Sequence, residues 1–359
     1  VYFFKICYLS KMSNHKFTTI REAEKLSKKK LKKGTFMWLS SGSEDEVTSN
    51  KNIDDLNKIK IIPNVLKKIK STNYSTFFLN KKIKSPLILS PMGHQSQFHK
   101  LGEIEMAKGI EKYGSIGFFS TQSRYDFHLI REKNKNCSLV WQVFLFGNKN
   151  WILEQIKKAE KNNSLAIALC LDGSIRSHRY GDRETRYDAR KHGIFKIKSP
   201  PNQNKERQYD WDIIRWIKSK TKLPIILKGI INYKDVQIAL KLGIKYIWIS
   251  NHGGRMLNSG ISSVEALIKI KKIFKDRIFI IADGGVRRGS DVLKYLCLGA
   301  NIVGIGRPAI YGLTINGYKG VKQVFDILES EFRSSMINSK FANLKSLNLK
   351  KVSHNISIY

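Results

Sequence analysis

From Ser85 onward the chain repeats one unit eight times: a short, nearly continuous apolar run, then a longer amphipathic stretch. The runs are PLILS (86–90), SIGFFS (115–120), LVWQVF (139–144), LAIALCLD (165–172), LPIILKG (223–229), YIWISN (246–251), RIFIIADGG (277–285) and NIVGIG (301–306). They do not alternate apolar with polar residues. Strands that are apolar on both sides are buried on both faces, as in parallel sheets covered by helices. The stretches between them, such as WILEQIKKAEKN, DWDIIRWIKSK, KDVQIALKLG and VEALIKIKKIF, space apolar residues three and four apart. Eight such units predict an α/β fold, a (β/α)8 TIM barrel of about 250 residues. A doubly wound open sheet is the competing arrangement, and no GxGxxG turn follows the first run to support it.

The rest of the 359 residues is arranged around that barrel. Residues 85–336 form the expected barrel, 12–84 an N-terminal helical extension packed on its mouth or base, and 337–359 a C-terminal tail. The opening VYFFKICYLSK (1–11) reads as a mis-assigned start or a disordered leader, with Met12 as the expected first residue. The longest insertion, 174–210, holds ten basic and five acidic residues and the turn Pro200-Pro201. A connection this long in a compact domain is read as a mobile loop over the mouth.

The net charge of +36 raises the question of nucleic acid. Only 16 of the 65 basic residues are arginine, however, and the lysines are scattered without a nucleic-acid motif. An anionic small-molecule substrate is the better electrostatic match, with no specific nucleic acid. No apolar run approaches the about 20 residues that span a bilayer. Four cysteines without CxxC spacing argue against a disulfide scaffold or a metal site, and for a reducing, cytoplasmic setting.

Barrel chemistry sits at the C-terminal ends of the strands. Those ends read Pro91-Met92-Gly93, Ser120, Gln142, Asp172, Lys228-Gly229, SNHGGR (250–255), ADGGVRRG (282–289) and GIGRP (304–308). The last two resemble a phosphate site. Gly284, Gly285 and Gly306 let backbone N–H groups approach an anion, and Arg287 and Arg307 offer a planar fork. Tight turns alone would explain the glycines but not the arginines. Lys228 ends an apolar strand, where a buried ammonium needs an electron-rich partner. His252 with Asp172 and Arg255 forms a general-base arrangement beside an anion anchor.

The segments SPMGHQSQFHKLGE, LKGI, SNHGGRMLNSG and ADGGVRRGSDVLKYLCLGANIVGIGRPAIYGL resemble the FMN-dependent α-hydroxy-acid dehydrogenase/oxidase family, over about Phe17 to Leu349. The resemblance implies FMN as cofactor, and oxygen or a soluble carrier as electron acceptor. It also implies a homo-oligomer, expected to be a tetramer. It makes His252 the base and Asp172 its partner. Arg255 and Arg179 would hold the substrate carboxylate, and Lys228 would sit by the flavin. Pro91, Met92, Gly93, Ser120, Gln142, Cys170 and Ser250 would line the flavin ring. Asp283, Gly284, Gly285, Val286 and Arg287 would hold the ribityl chain and phosphate, with Gly306 and Arg307 on the phosphate.

Three positions depart from that pattern. Trp38 and Phe144 stand where the family has substrate-binding tyrosines, and Cys170 stands where threonine is usual. A pre-mycofactocin synthase-like branch of the family also lacks the tyrosines. It suggests a second reading: oxidation of a C–N bond in a peptide-derived substrate. The first reading is oxidation of a lactate-like 2-hydroxy acid to the 2-oxo acid. A non-catalytic flavoprotein would not need His252, Asp172, Arg255 and Lys228 together.

Overall fold

The computed structural model describes residues 16–69, 71–173, 175, 177–188, 209–356 and 358. The opening leader (1–11) lies outside them, as does residues 189–208 of the expected mobile loop. Eight parallel strands close into a barrel: β1 (Leu87–Leu89), β2 (Ile116–Ser120), β3 (Ser138–Phe144), β4 (Ile167–Cys170), β5 (Ile225–Ile230), β6 (Tyr246–Ile249), β7 (Phe279–Ala282) and β8 (Ile302–Ile305). They pair in chain order, and β8 returns to β1.

A helix follows each strand: α1 (Gly102–Tyr113), α2 (Phe127–Lys133), α3 (Lys149–Lys161), α4 (Trp211–Lys220), α5 (Tyr233–Lys241), α6 (Ser263–Phe274), α7 (Gly289–Cys297) and α8 (Arg307–Asn338). Asx caps start several of them: Asp126, Asn148, Asp210 and Asn232 each accept a first-turn N–H. Helix α8 is broken at Asn316 and Gly317. No helix among the described residues is long and apolar enough to cross a membrane.

The two-residue period of a strand separates two cores. Leu87, Leu89, Phe119, Trp141, Leu169, Leu227, Ile247 and Ile280 face outward against the helices. Ile88, Phe118, Val140, Ala168, Ile226, Trp248, Ile281 and Ile302 face inward and fill the barrel. The next inward position up each strand belongs to a different chemistry: Ser90, Ser120, Gln142, Cys170, Lys228, Ser250, Asp283 and Gly304. The barrel interior thus changes from an apolar plug to a polar deck in a single step of the pleat.

The chain before β1 serves both ends. A hairpin, Thr76–Phe78 paired antiparallel with Lys81–Ile83, puts Phe78 into the bottom of the barrel. Its ring stacks on Phe279 at 5.2 Å and on Phe118 at 6.4 Å. Helix Ile20–Lys30 packs on α8, where Tyr311 Oη donates to Glu24 Oε1 at 2.8 Å. Helices Lys33–Ser40 and Val47–Lys58 reach the opposite end and wall the mouth. In the C-terminal segment, Val352–Ser353 pairs with Lys60–Ile61.

Candidate active site

The polar deck is built around a buried charge pair. Lys228 Nζ donates to Ser250 Oγ at 3.0 Å and lies 3.9 Å from Asp283 Oδ2. Asp283 also accepts from Ser250 Oγ at 2.6 Å, Trp248 Nε1 at 3.0 Å and Ser90 Oγ at 3.4 Å. Burial alone would lower the Lys228 pKa. The carboxylates of Asp283 and Asp172 override burial and raise it, so the ammonium stays charged.

At the rim, His252 Nδ1 lies 3.1 Å from Asp172 Oδ1, and Cys170 Sγ donates to the same oxygen at 3.1 Å. Burial alone would raise the Asp172 pKa. The electrostatic influence of His252 and of the Lys228 ammonium, with the bonds from His252 and Cys170, outweighs it and holds the carboxylate well below its usual range. Gly229 makes this possible. Its φ is +99°, and a Cβ there would stand 2.6 Å from Asp172 Cβ. His252 itself is left-handed, with φ 59°. For a side-chain-bearing residue that conformation costs of order 1 kcal/mol, so the loop is held in it by its surroundings. Gly254 and Asn251 show how. Asn251 and Asn52 exchange two amide bonds of 2.9 and 2.8 Å, tying the loop to helix Val47–Lys58. Any Cβ on Gly254 would strike the Ser49 backbone at 2.3 Å.

Above the deck, two guanidiniums lie near the Trp38 ring. Arg255 is 5.2 Å from its ring and Arg179 is 5.5 Å. His94 meets the same ring edge-on at 5.6 Å. Arg179 also pairs with Asp182 at 2.9 Å. Phe144, stacked on Phe146, comes within 6.2 Å of the His252 ring. Arg255 Nη1 donates to the carbonyls of Leu39 and Ser41 at 3.1 and 2.9 Å. These carbonyls belong to the C-terminal end of helix Lys33–Ser40, where cations are favoured.

Beyond the deck lies a second concentration of positive charge. Burial, and then the neighbouring Arg287, pull the Arg307 pKa down to about 10. Arg307 donates to the carbonyls of Leu39 at 3.2 Å and Gly253 at 3.2 Å, and has no ion pair among the described residues. Arg287 Nη1 reaches only the Val286 carbonyl, while its backbone N–H caps on Asp291. Two guanidiniums held this way fit a phosphate, which would relieve their mutual repulsion. Gly306 leaves the approach open: a Cβ there would meet only Met92 Sδ, at 3.9 Å. The deck offers a further sign of a missing polar partner. Gln142 Nε2 donates to Ser120 Oγ at 3.3 Å, but the buried Gln142 Oε1 has no partner among the described residues. One polar ring over the deck and one phosphate by the arginines account for both, so these residues fit FMN.

The residues singled out in the sequence therefore fall into three groups along the mouth. Asp172, His252, Cys170, Lys228, Ser250, Gln142 and Ser120 share the deck and its rim. Trp38, Arg179, Arg255 and Phe144 lie above it. Pro91, Met92, Gly93, Gly284, Gly285, Val286, Arg287, Gly306 and Arg307 occupy the turns after β1, β7 and β8. The carboxylate of Asp283, expected on the ribityl chain, points into the barrel, 3.9 Å from Lys228 Nζ. Sequence reading missed Asn52, His94 and the Leu39 and Ser41 carbonyls. The polar side chains of the first two signalled nothing without their distant partners.

The chain is similar to several known proteins. A 2-hydroxyacid oxidase of Dictyostelium discoideum is 30% identical, with 92% of this chain and 89% of that protein aligned. A peroxisomal (S)-2-hydroxyacid oxidase of Arabidopsis thaliana is 32% identical over 88% and 91%. An L-lactate oxidase of Lacticaseibacillus rhamnosus is 31% identical over 87% and 88%. A solved mandelate oxidase variant with (S)-mandelic acid shares the fold at a TM-score of 0.87 and 24% identity, covering 96% of this chain and all of that one. The family described as FMN-dependent dehydrogenase matches residues 27–354. With nearly its whole barrel and mouth inside that match, the chain belongs to the FMN-dependent dehydrogenase family, a family of oxidoreductases that use FMN.

Proposed function

We propose that this protein oxidises a 2-hydroxy acid to the corresponding 2-oxo acid, with His252 as the base. The observation that carries the reading is the 3.1 Å contact between His252 Nδ1 and Asp172 Oδ1. A carboxylate accepting from Nδ1–H leaves Nε2 with its lone pair, ready to take the substrate's hydroxyl proton. Asp172 then faces the imidazolium it stabilises. Arg255 and Arg179 hold the substrate carboxylate, with the Trp38 ring close to both. Trp38 and Phe144 have no phenol to offer, so carboxylate binding rests on the guanidiniums. FMN, when bound, supplies the two-electron sink for this oxidation. Lys228 would place a fixed cation beside it, while Arg287 and Arg307 would hold its phosphate.

The same reading takes 85–336 as the FMN-binding barrel, 12–84 as its mouth and base, and 337–359 as its tail. It takes oxygen or a soluble carrier as the electron acceptor and a homotetramer as the assembly. A reducing, cytoplasmic setting is supported by the burial of Cys137, Cys170 and Cys297.

The test is anaerobic bleaching of the FMN-loaded protein by lactate, glycolate, mandelate and longer 2-hydroxy acids, followed by amines. Bleaching by a hydroxy acid is the expected result. Bleaching by amines alone would transfer the site to C–N oxidation, and a protein that takes up no FMN would end the reading.

A further inference from the structure

Beside Trp38, the segment after β4 lines an open recess of about 310 Å³. Its walls include His178, Arg179, Arg183, Arg186 and Tyr187. We propose that this recess is a second anion site, which receives a carboxylate or phosphate carried on the far end of the substrate. The proposal rests on the 2-hydroxy-acid reading and names the substrate class within it.

The charge balance comes first. The acid in the recess, Asp182, is engaged by Arg179 at 2.9 Å. Neither Arg183 nor Arg186 has an ion-pair partner among the described residues. Arg183 Nη2 donates to His178 Nδ1, so its side-chain partner is an imidazole instead of a carboxylate. In a chain that uses lysine for three of every four basic positions, three arginines within eight residues mark a place where the planar fork serves a purpose.

Position comes second. Arg179 lines the recess and also lies over Trp38, whose other neighbour is Arg255. Ser177 Oγ donates to the Arg255 carbonyl, and Glu44 N–H donates to the His178 carbonyl at 2.6 Å. Recess and substrate anchor are thus built on the same backbone. Tyr187 forms a fixed back wall, with its hydroxyl on Gln97 Oε1 and its ring against Gly34, where a Cβ would come within 2.8 Å. A substrate whose first carboxylate meets Arg255 can extend past Arg179 and present a second anion to Arg183 and Arg186. Both arginines are exposed at the rim, so each is worth up to about fivefold in affinity, and the pair about tenfold.

The test compares 2-hydroxyglutarate with 2-hydroxypentanoate, equal in chain length and different by one carboxylate, on FMN-loaded wild type and on Arg183→Ala/Arg186→Ala. In wild type the dianion should show a kcat/KM about tenfold higher, an advantage that shrinks with added salt. The double variant should lose that advantage, with the fall confined to the dianion. Equal rates in wild type, or a preference that survives in the double variant, would overturn the proposal. If neither compound bleaches the flavin, the hydroxy-acid reading is decided separately by the wider panel of 2-hydroxy acids. The recess is then judged by calorimetric binding of 2-oxoglutarate: about tenfold tighter in wild type than in the double variant supports it, and equal affinity refutes it.

Discussion

Arg255 and Arg307 donate to the same two carbonyl oxygens, those of Leu39 and Ser41. One guanidinium belongs to the substrate side of the mouth and the other to the phosphate side, and one helix end holds both. Arg255→Lys should therefore weaken substrate binding more than it slows the bound complex. A lysine cannot bond two carbonyls and still present a fork to a carboxylate. Rapid-reaction flavin reduction should give a dissociation constant raised about tenfold or more, with the limiting rate lowered less. Equal loss in both would place Arg255 in the chemical step.

His252→Ala should lower substrate-driven flavin reduction by 10² to about 10⁴ and leave FMN bound. The phosphate arginines and the Lys228 deck make no use of the imidazole, while Arg179 and Arg255 cannot accept a proton. Asp172→Asn should give a smaller defect of the same kind, because the base remains and its orientation is lost. A His252→Ala protein that bleaches at the wild-type rate would remove histidine from the mechanism.

Gly229→Ala tests the placement of Asp172 without touching either member of the pair. The new methyl would stand 2.6 Å from Asp172 Cβ, on a backbone at φ +99° that disfavours side chains. Stability should fall by about 1–3 kcal/mol from the strain, and reduction should slow at least tenfold through displacement of the carboxylate. Thermal melting and single-turnover bleaching separate the two effects. A variant with unchanged turnover would show that Asp172 tolerates displacement.

The depressed pKa of Asp172 has a pH signature. In the folded protein this carboxylate stays ionised to lower pH than in the unfolded chain, where it titrates near 4. Its contribution to stability is present above about pH 4 and lost as pH falls below it, at up to about 1.4 kcal/mol per pH unit. Asp172→Asn should make the acid limb of urea stability shallower by about one proton between roughly pH 4 and 3. An unchanged slope would mean that Asp172 has an ordinary pKa.

The barrel was legible because its signal is local and repeated. SIGFFS at 115–120 became Ile116–Ser120, and YIWISN at 246–251 became Tyr246–Ile249. The run at 165–172 overshot its strand, which ends at Cys170, because Asp172 leaves the ladder to meet His252. The hairpin at 76–83 was missed for a conformational reason. Its turn residues Leu79 and Asn80 both have positive φ, and leucine gives no warning of that. His252, Asp172 and Lys228 could be found from strand ends alone. The direction of Asp283 needed the inward parity it shares with Ile281. Asn52 was beyond reach, since its partner is 199 residues away.

That distance also sets an order of assembly. Helix Val47–Lys58 leaves the ribosome before the loop it clasps through the Asn52–Asn251 amide pair, which follows only after six barrel strands have been made. During synthesis the helix has nothing to clasp, and its buried face stays wet until β6 arrives. The left-handed His252 loop, in turn, has no brace until the helix docks. The mouth cannot be completed before Asn251 has been made, although the other half of its clasp is joined 199 residues earlier.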